Sequence, residues 1–390
     1  MEPVQGADDY NQLTPRLTPG ALQYFEARAE AEDSAALDVV FFAHLTGMGT
    51  VADWDVARTW LEKAWHVGTP LGALYHGRNL LGFELDSTYR EDAYGKQLIE
   101  VADYRFSELA KDGNAVALYF QGVCREQLGD ASGAYAYYSR SAQKGCVLAQ
   151  GQLGLCSVNG VGTRKDGAAA LRWLVPAAEA GLITAQDALG KLYFDGELLP
   201  RDDALAFKWS RRAALRGWPH AQHRLAQLYQ LGRGVAQNEF FATEWYERAA
   251  LQGLLPAQLQ VARRYADGTG TLRDDEAAAE WFTRAALQHD ASAEKQVGEL
   301  FAVGRGVVLD NAEARHWLVL AAQHELSEHA QHLAAAPAPA PAPAAAPHAL
   351  AEPVATDTHA EVIEADAERT ARDPEATQRW YVAVEYSNDE

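Results

Sequence analysis

From residue 146 to residue 325 small and apolar residues recur in a register of 36 positions. Trp173, Trp209, Trp245, Trp281 and Trp317 form one column, and Ala149, Ala185, Ala221, Ala257 and Ala293 another. Leu153, Leu189, Leu225, Val261 and Val297 form a third, each followed by Gly or Ala (Gly154, Gly190, Ala226, Ala262, Gly298). Tyr193, Tyr229, Tyr265 and Phe301 stand four positions beyond their Leu or Val, the spacing that shares one helix face. Each unit therefore predicts two helices. Helix A starts near the Ala column and ends at a Gly, which takes the left-handed conformation cheaply. Helix B carries the Trp and an Ala pair (Ala177–Ala178 and its repeats) on its inner face. Asp166, Asp202, Asn238, Asp274 and Asp310 precede helix B and offer an oxygen to its unsatisfied N–H groups. Gly181, Gly217 and Gly253 close their units, while His289 and Glu325 replace that Gly in the last two. Pro176, inside a helix B, predicts a kink.

One turn invites a different reading. "LYQLGRGVAQN", residues 228–238, puts a Gly-x-Gly just before a helix start, where a phosphate could sit on backbone N–H groups. A nucleotide fingerprint also requires a strand before the loop. The preceding "PHAQHRLAQLYQ" has helical spacing instead, and comparable turns recur in every unit. A repeat needs one turn per unit, so the turn is the better reading.

These columns resemble the Sel-1-like repeat (SLR), a relative of the tetratricopeptide repeat. The resemblance rests on "A-Q-x-x-L-G-x-L-Y-x-x-G-x-G-V…A-x-x-W-x-x-x-A-A-x-x-G" and covers five complete units, 146–325. It implies an all-α fold: a right-handed solenoid of antiparallel helix pairs that serves as a scaffold for protein contacts. Upstream, Gly47, Gly49, Asp53, Trp60, Ala64 and Gly68 repeat the spacing, which makes 33–68 a further unit. Residues 114–145 make a shortened one, and 69–113 fit loosely around an enlarged loop near "LDSTYREDAYG". The total is eight helix pairs. The expected organisation is a flexible acidic N-terminus at 1–20, divergent helical repeats at 21–145, and the five units with a capping helix at 146–336. A disordered Ala/Pro-rich linker at 337–358 and an acidic tail at 359–390 follow. "LSEHAQHLAAA", 326–336, is expected as a lone capping helix over the apolar end of the array.

Charge and cysteine content narrow the function classes. The net charge of −20 argues against a nucleic-acid or anionic-membrane partner, whose phosphates call for Lys and Arg. The excess is local: −9 over 1–145, −2 over 146–325 and −9 over 326–390. Cys124, Cys146 and Cys156 form no metal-ligand spacing and read as buried thiols of a reducing compartment. The N-terminus lacks a signal-peptide pattern, and no apolar run is long enough to span a membrane, so a cytoplasmic location is expected.

No Gly-x-Ser-x-Gly or Walker-type motif occurs, and most carboxylates fall at caps or on exposed faces. A non-enzymatic adaptor without a cofactor or metal is expected, binding a protein or peptide; its oligomeric state is left open. The alternative is a metal-dependent or hydrolytic activity at the C-terminal histidines His324, His329 and His332. The Trp column reads as inter-helix core rather than a carbohydrate platform. "KWSRRAALRG" sets Lys208, Arg212 and Arg216 on one stripe with Arg211 beside it: a solvated face by default, or a site for an acidic partner.

The resemblance to tetratricopeptide relatives implies a groove lined by helix-A residues that point away from the core. These are Asp187, Lys191 and Asp195, then His220, His223, Gln227 and Gln230, then Arg263 and Asp267, then Lys295 and Glu299. They differ from unit to unit, as a surface reading one partner would. In the tail, Trp380, Val382, Val384 and Tyr386 alternate with other residues at a strand's period of two, and this segment is expected to be a short recognition element.

Overall fold

The structure, a computed structural model, describes residues 10, 13–14, 17–50, 52–81, 92–111 and 113–335, with side chains to Ser327. All regular structure among them is helical. In order the helices are α1 Pro19–Glu30, α2 Ser34–Thr46, α3 Trp54–Val67, α4 Pro70–Leu80, α5 Asp92–Ala110, α6 Ala115–Gln127, α7 Ala131–Gln143, α8 Val147–Asn159 and α9 Gly167–Glu179. They continue as α10 Ile183–Asp195, α11 Asp203–Ala214, α12 Pro219–Leu231, α13 Glu239–Leu251, α14 Leu255–Asp267, α15 Asp275–Ala286, α16 Ala291–Val303 and α17 Asn311–Ala335. From α2 onward they form eight A–B pairs, and through α15 each pair packs most extensively on itself and then on the next. Successive A helices also touch (α2 with α4, α6 with α8, α8 with α10, α10 with α12), whereas no two B helices pack as closely. The A layer therefore lies on the inside of the solenoid's curve.

The sequence columns do the work expected of them. The Ala column and the Leu/Val column are buried throughout. The small residue between the A-helix anchors is small for a reason: a β-carbon on Gly190 would stand 2.6 Å from Ser210 Oγ, and one on Gly154 2.5 Å from Leu174 Cγ. Helix-B starts are capped as predicted, Asp202 accepting from the Leu205 N–H at 2.9 Å and Asn238 from the Phe241 N–H at 3.0 Å. Gly232 ends α12 at φ 63°. Pro176 lies inside α9 without ending it. Trp209 is 3% exposed and Trp281 9%, while Trp173, Trp245 and Trp317 are half-buried; the aromatic column from Tyr193 to Phe301 is half-buried as well. Each of Trp209, Trp245 and Trp281 carries a guanidinium three residues on (Arg212, Arg248, Arg284) at 4.4–4.8 Å from its ring centre.

Two polar links join neighbouring units. In the first, the Arg of a Gly-Arg-Gly turn reaches back one repeat. Arg233 donates to Asp203 Oδ1 at 2.7 Å and to the Phe194 carbonyl at 2.8 Å. Arg305 does the same to Asp275 at 2.8 Å and to the Ala266 carbonyl at 3.0 Å. The turn that resembled a phosphate loop is a staple between repeats. In the second link, a Gln in the first turns of helix A donates to a carbonyl at the end of the preceding helix B. Gln186, Gln222 and Gln258 thereby reach the Ala178, Ala214 and Ala250 carbonyls. The Oε1 of Gln222 then accepts from Gln252 at 2.7 Å, and that of Gln258 from Gln288 at 2.8 Å.

Two expectations need correction. The N-terminal stretch is not simply a flexible acidic lead: Tyr10, Leu13 and Leu17 are buried. The Tyr10 hydroxyl donates to Asp38 at 2.5 Å, and Thr69 and the Leu71 N–H bond the same carboxylate. The lone capping helix does not form either, because α17 runs unbroken through Glu325 to Ala335. Glutamate occupies the place of the unit-closing glycine and has no preference for the left-handed conformation, so the helix continues. The Ala/Pro-rich linker and the acidic tail, with Trp380, Val382, Val384 and Tyr386, lie outside the described residues.

Candidate interaction groove

Residues far apart in sequence meet in a cavity of about 830 Å³ on the inside of the curve. One wall is the end of α2 and its turn, including Phe42, Leu45 and Met48. The opposite wall is built from α8 (Leu148, Gln152, Leu155) and from the entries to α10 and α12 (Leu182, Ile183, Leu215, Trp218). Those entries are unusual caps. Leu182, Trp218 and Leu254 hold the N-cap positions of α10, α12 and α14 and offer no side-chain acceptor. An apolar residue at a helix start leaves N–H groups without the usual side-chain partner; here it supplies apolar surface to the groove.

Two features give the groove direction and polarity. Leu215 is 57% exposed in its wall, and its counterparts one and two repeats on, Leu251 and Leu287, are 70% and 67% exposed. The three leucines set one exposed apolar side chain at the same position of three successive units. The indole Nε1 of Trp218 is buried and makes no hydrogen bond within the protein, although its ring lines the cavity. A buried donor of this kind is costly until it meets an acceptor.

The residues picked from sequence fall differently. Of that set Arg216 alone is in the cavity wall, donating to the Gly181 carbonyl, and burial lowers its pKa. Lys208 and Arg212 flank the Trp209 ring, each 4.8 Å from its centre, and Arg211 is exposed. On the A helices, Asp187 is held by Arg224 of the next unit at 2.7 Å. His223 packs edge-on against Tyr246, whose hydroxyl donates to Gln230 at 2.8 Å. Burial pushes the His223 pKa down to about 4, with Arg224 and His220 adding to the effect. Lys191 and Asp195 pair with each other at 2.6 Å on the surface. His220, Arg263, Asp267, Lys295 and Glu299 are exposed, and Gln227 is half-buried. Thus Asp187, His223 and Gln230 are engaged inside the array, and the remainder stay on its face.

The histidine cluster is also rearranged. His324 pairs with Glu294 at 2.8 Å, and its ring centre is 5.2 Å from that of His289. His329 and His332 lie on the last turns of α17, where side chains fall outside the described residues. Sequence spacing could not have joined His324 to Glu294, which precedes it by 30 positions on another helix.

Comparison with known proteins agrees with this architecture. A family model described as Sel1 repeat matches residues 110–146, 147–182, 183–218, 219–254, 255–290 and 291–325. A protective antigen of uropathogenic Escherichia coli displaying an SLR fold is similar over 80% of this chain and 68% of its own, at 22% identity and a TM-score of 0.52. That likeness is one of fold. A Sel1 repeat protein from Oxalobacter formigenes is similar over 58% of this chain and 98% of its own, at 27% identity and a TM-score of 0.50. No curated protein matches the sequence.

Proposed function

The chain belongs to the Sel1 repeat family, and from that premise we propose that it is a non-enzymatic adaptor binding a protein or peptide in its inner groove. The observation that carries this reading is the largely apolar cavity with exposed Leu215 in its wall, together with the exposed leucines at the equivalent positions of the next two units, Leu251 and Leu287. Exposed apolar residues recurring once per unit suit a polypeptide whose side chains project at intervals. The exposed groups on the A face, Lys191, Asp195, His220, Arg263, Asp267, Lys295 and Glu299, are charged or polar and of mixed sign, which favours specificity over affinity.

The adaptor acts in the cytoplasm, in a bacterial signalling, secretion or stress assembly. The reading of a reducing compartment is supported by three free, buried thiols. Burial pushes the Cys124 and Cys146 thiols up and that of Cys156 to about 11, which leaves all three protonated and unreactive near neutrality. No helix among the described residues is long and apolar enough to cross a membrane.

Selection of displayed random peptides against the full chain tests the groove. Leu215→Glu and Leu251→Glu change exposed positions, so the variants fold. Selected peptides should bind the parent and lose binding to both variants. Peptides that bind the variants equally well, or a selection that yields none, would count against a peptide groove.

A further inference from the structure

Three positions at the junction of the last two repeats depart from the pattern, and the three converge on one point. Where earlier units pair Gln222 with Gln252 and Gln258 with Gln288, the last pairs Glu294 with His324. Where they close with Gly217 and Gly253, the preceding unit closes with His289, in the left-handed region at φ 62°. A left-handed backbone is cheap for glycine and uncommon for any residue with a β-carbon. Ligating atoms of His289, Glu294 and His324 all lie within 4.8 Å of one another.

We propose that His289, Glu294 and His324 form a site for a divalent transition-metal ion, with zinc as the best fit. Glu294 is 1% exposed, a carboxylate buried where glutamine serves the same packing elsewhere. Burying a charge is costly unless a cation or a dense set of donors meets it. Two imidazoles and one carboxylate are borderline ligands that suit zinc, and three protein ligands leave a fourth position for water. Zinc–ligand bonds of about 2.0–2.2 Å put neighbouring ligand atoms about 3.3 Å apart. The Glu294–His324 pair at 2.8 Å is close to that separation, and His289, exposed on its turn, has room to swing in. The element order supplies the rest: His289 is on the turn between α15 and α16, Glu294 in the first turns of α16, and His324 on α17. A bound ion would tie that turn to the long terminal helix. The site is separate from the groove and does not depend on the adaptor reading.

The test uses the full chain, stripped with a chelator and titrated with zinc by calorimetry, with bound metal measured by elemental analysis. Cobalt serves as a spectroscopic stand-in for ligand number. The variants restore the residues of the other units and so preserve the packing: His289→Gly, Glu294→Gln and His324→Gln. The parent should bind one zinc, and each restored variant should bind at least about tenfold more weakly, the lower bound for even outer-shell changes. A His329→Ala/His332→Ala variant should bind like the parent, which separates this site from the other histidines among the chain's 12. Undiminished binding in the restored variants, loss in the His329→Ala/His332→Ala variant, or no saturable binding by the parent would overturn the assignment.

Discussion

A β-carbon on Gly234 would stand 2.1 Å from the carbonyl oxygen of Asp203, so the second glycine of this turn is pressed against the start of the preceding helix B. The same contact recurs one and two repeats on, at 2.2 Å between Gly270 and the Glu239 carbonyl and at 1.9 Å between Gly306 and that of Asp275. The repeats stack at the distance this glycine permits.

Gly232 and Gly234 both have positive φ, yet they should respond unequally to substitution. Gly232→Ala meets the left-handed penalty and a 3.2 Å approach to the Gln237 β-carbon, and should cost about 1–2 kcal/mol. Gly234→Ala adds a clash with backbone and should cost more, about 3 kcal/mol or above, through forced separation of repeats. Urea unfolding of the two variants checks the order. ATP should leave the parent's melting temperature unchanged; a saturable shift would restore the phosphate-loop reading.

The tryptophan column should grade with burial. Trp209→Ala should cost about 3–5 kcal/mol by leaving an inter-helix cavity, and the half-buried Trp245→Ala should cost less. Arg248→Ala removes a cation 4.4 Å from the Trp245 ring centre and should cost about 0.5–1 kcal/mol. Thermal melts that rank Trp245 above Trp209 would place the principal inter-repeat contact elsewhere.

Asp38 makes part of the stability pH-dependent. Burial pushes its pKa up to about 6, against the hydrogen bonds from Thr69, Tyr10 and Leu71. Between the ordinary carboxylate value near 4 and about 6 the folded state holds this proton more tightly than the unfolded chain. The contribution of Asp38 therefore falls as pH rises through that window, by about 2–3 kcal/mol. Asp38→Asn keeps an oxygen for Tyr10 and Leu71 and turns its amide to the Thr69 hydroxyl. Its stability relative to the parent should improve from pH 4 to pH 7. A difference that stays flat would mean that Asp38 does not titrate in this range.

Asp203 has the opposite sign. Hydrogen bonds from Arg201 and Arg233 hold its carboxyl well below the usual carboxylate range. Its contribution is complete above about pH 4 and fades as pH falls through the lowered value. The stability gap between the parent and Arg233→Ala should narrow from pH 4 toward pH 2, and narrow with added salt, because the pair is partly exposed. A gap that ignores both pH and salt would assign Arg233 to packing alone.

Periodicity made the repeat register, the caps and the helix-ending glycines legible, since each depends on neighbours within one unit. Packing of Tyr10 was hidden because its partner, Asp38, lies 28 positions away on α2. The groove was hidden for a related reason: curvature, which no single repeat encodes, brings Leu45 and Met48 opposite Leu215 and Trp218. Helix-A outward positions could be located but not their employment, since Arg224 and Tyr246 claim Asp187, His223 and Gln230 from neighbouring helices. The one available signal for the groove was the apolar cap series Leu182, Trp218 and Leu254, which breaks the preference for Ser, Asp or Asn.

The two walls of the groove belong to α2 and to the entry of α12, with every intervening joint of the solenoid between them. Its width is therefore a sum over those joints, as the gap of a coil spring is a sum over its windings. A small rotation at any one of them is multiplied by the arm that separates it from the wall. Substitutions in the staples or in the Gly-x-Gly turns can thus open or close the mouth without touching a groove residue. Conversely, a ligand gripping both walls would load each joint at once and stiffen the whole inner arc.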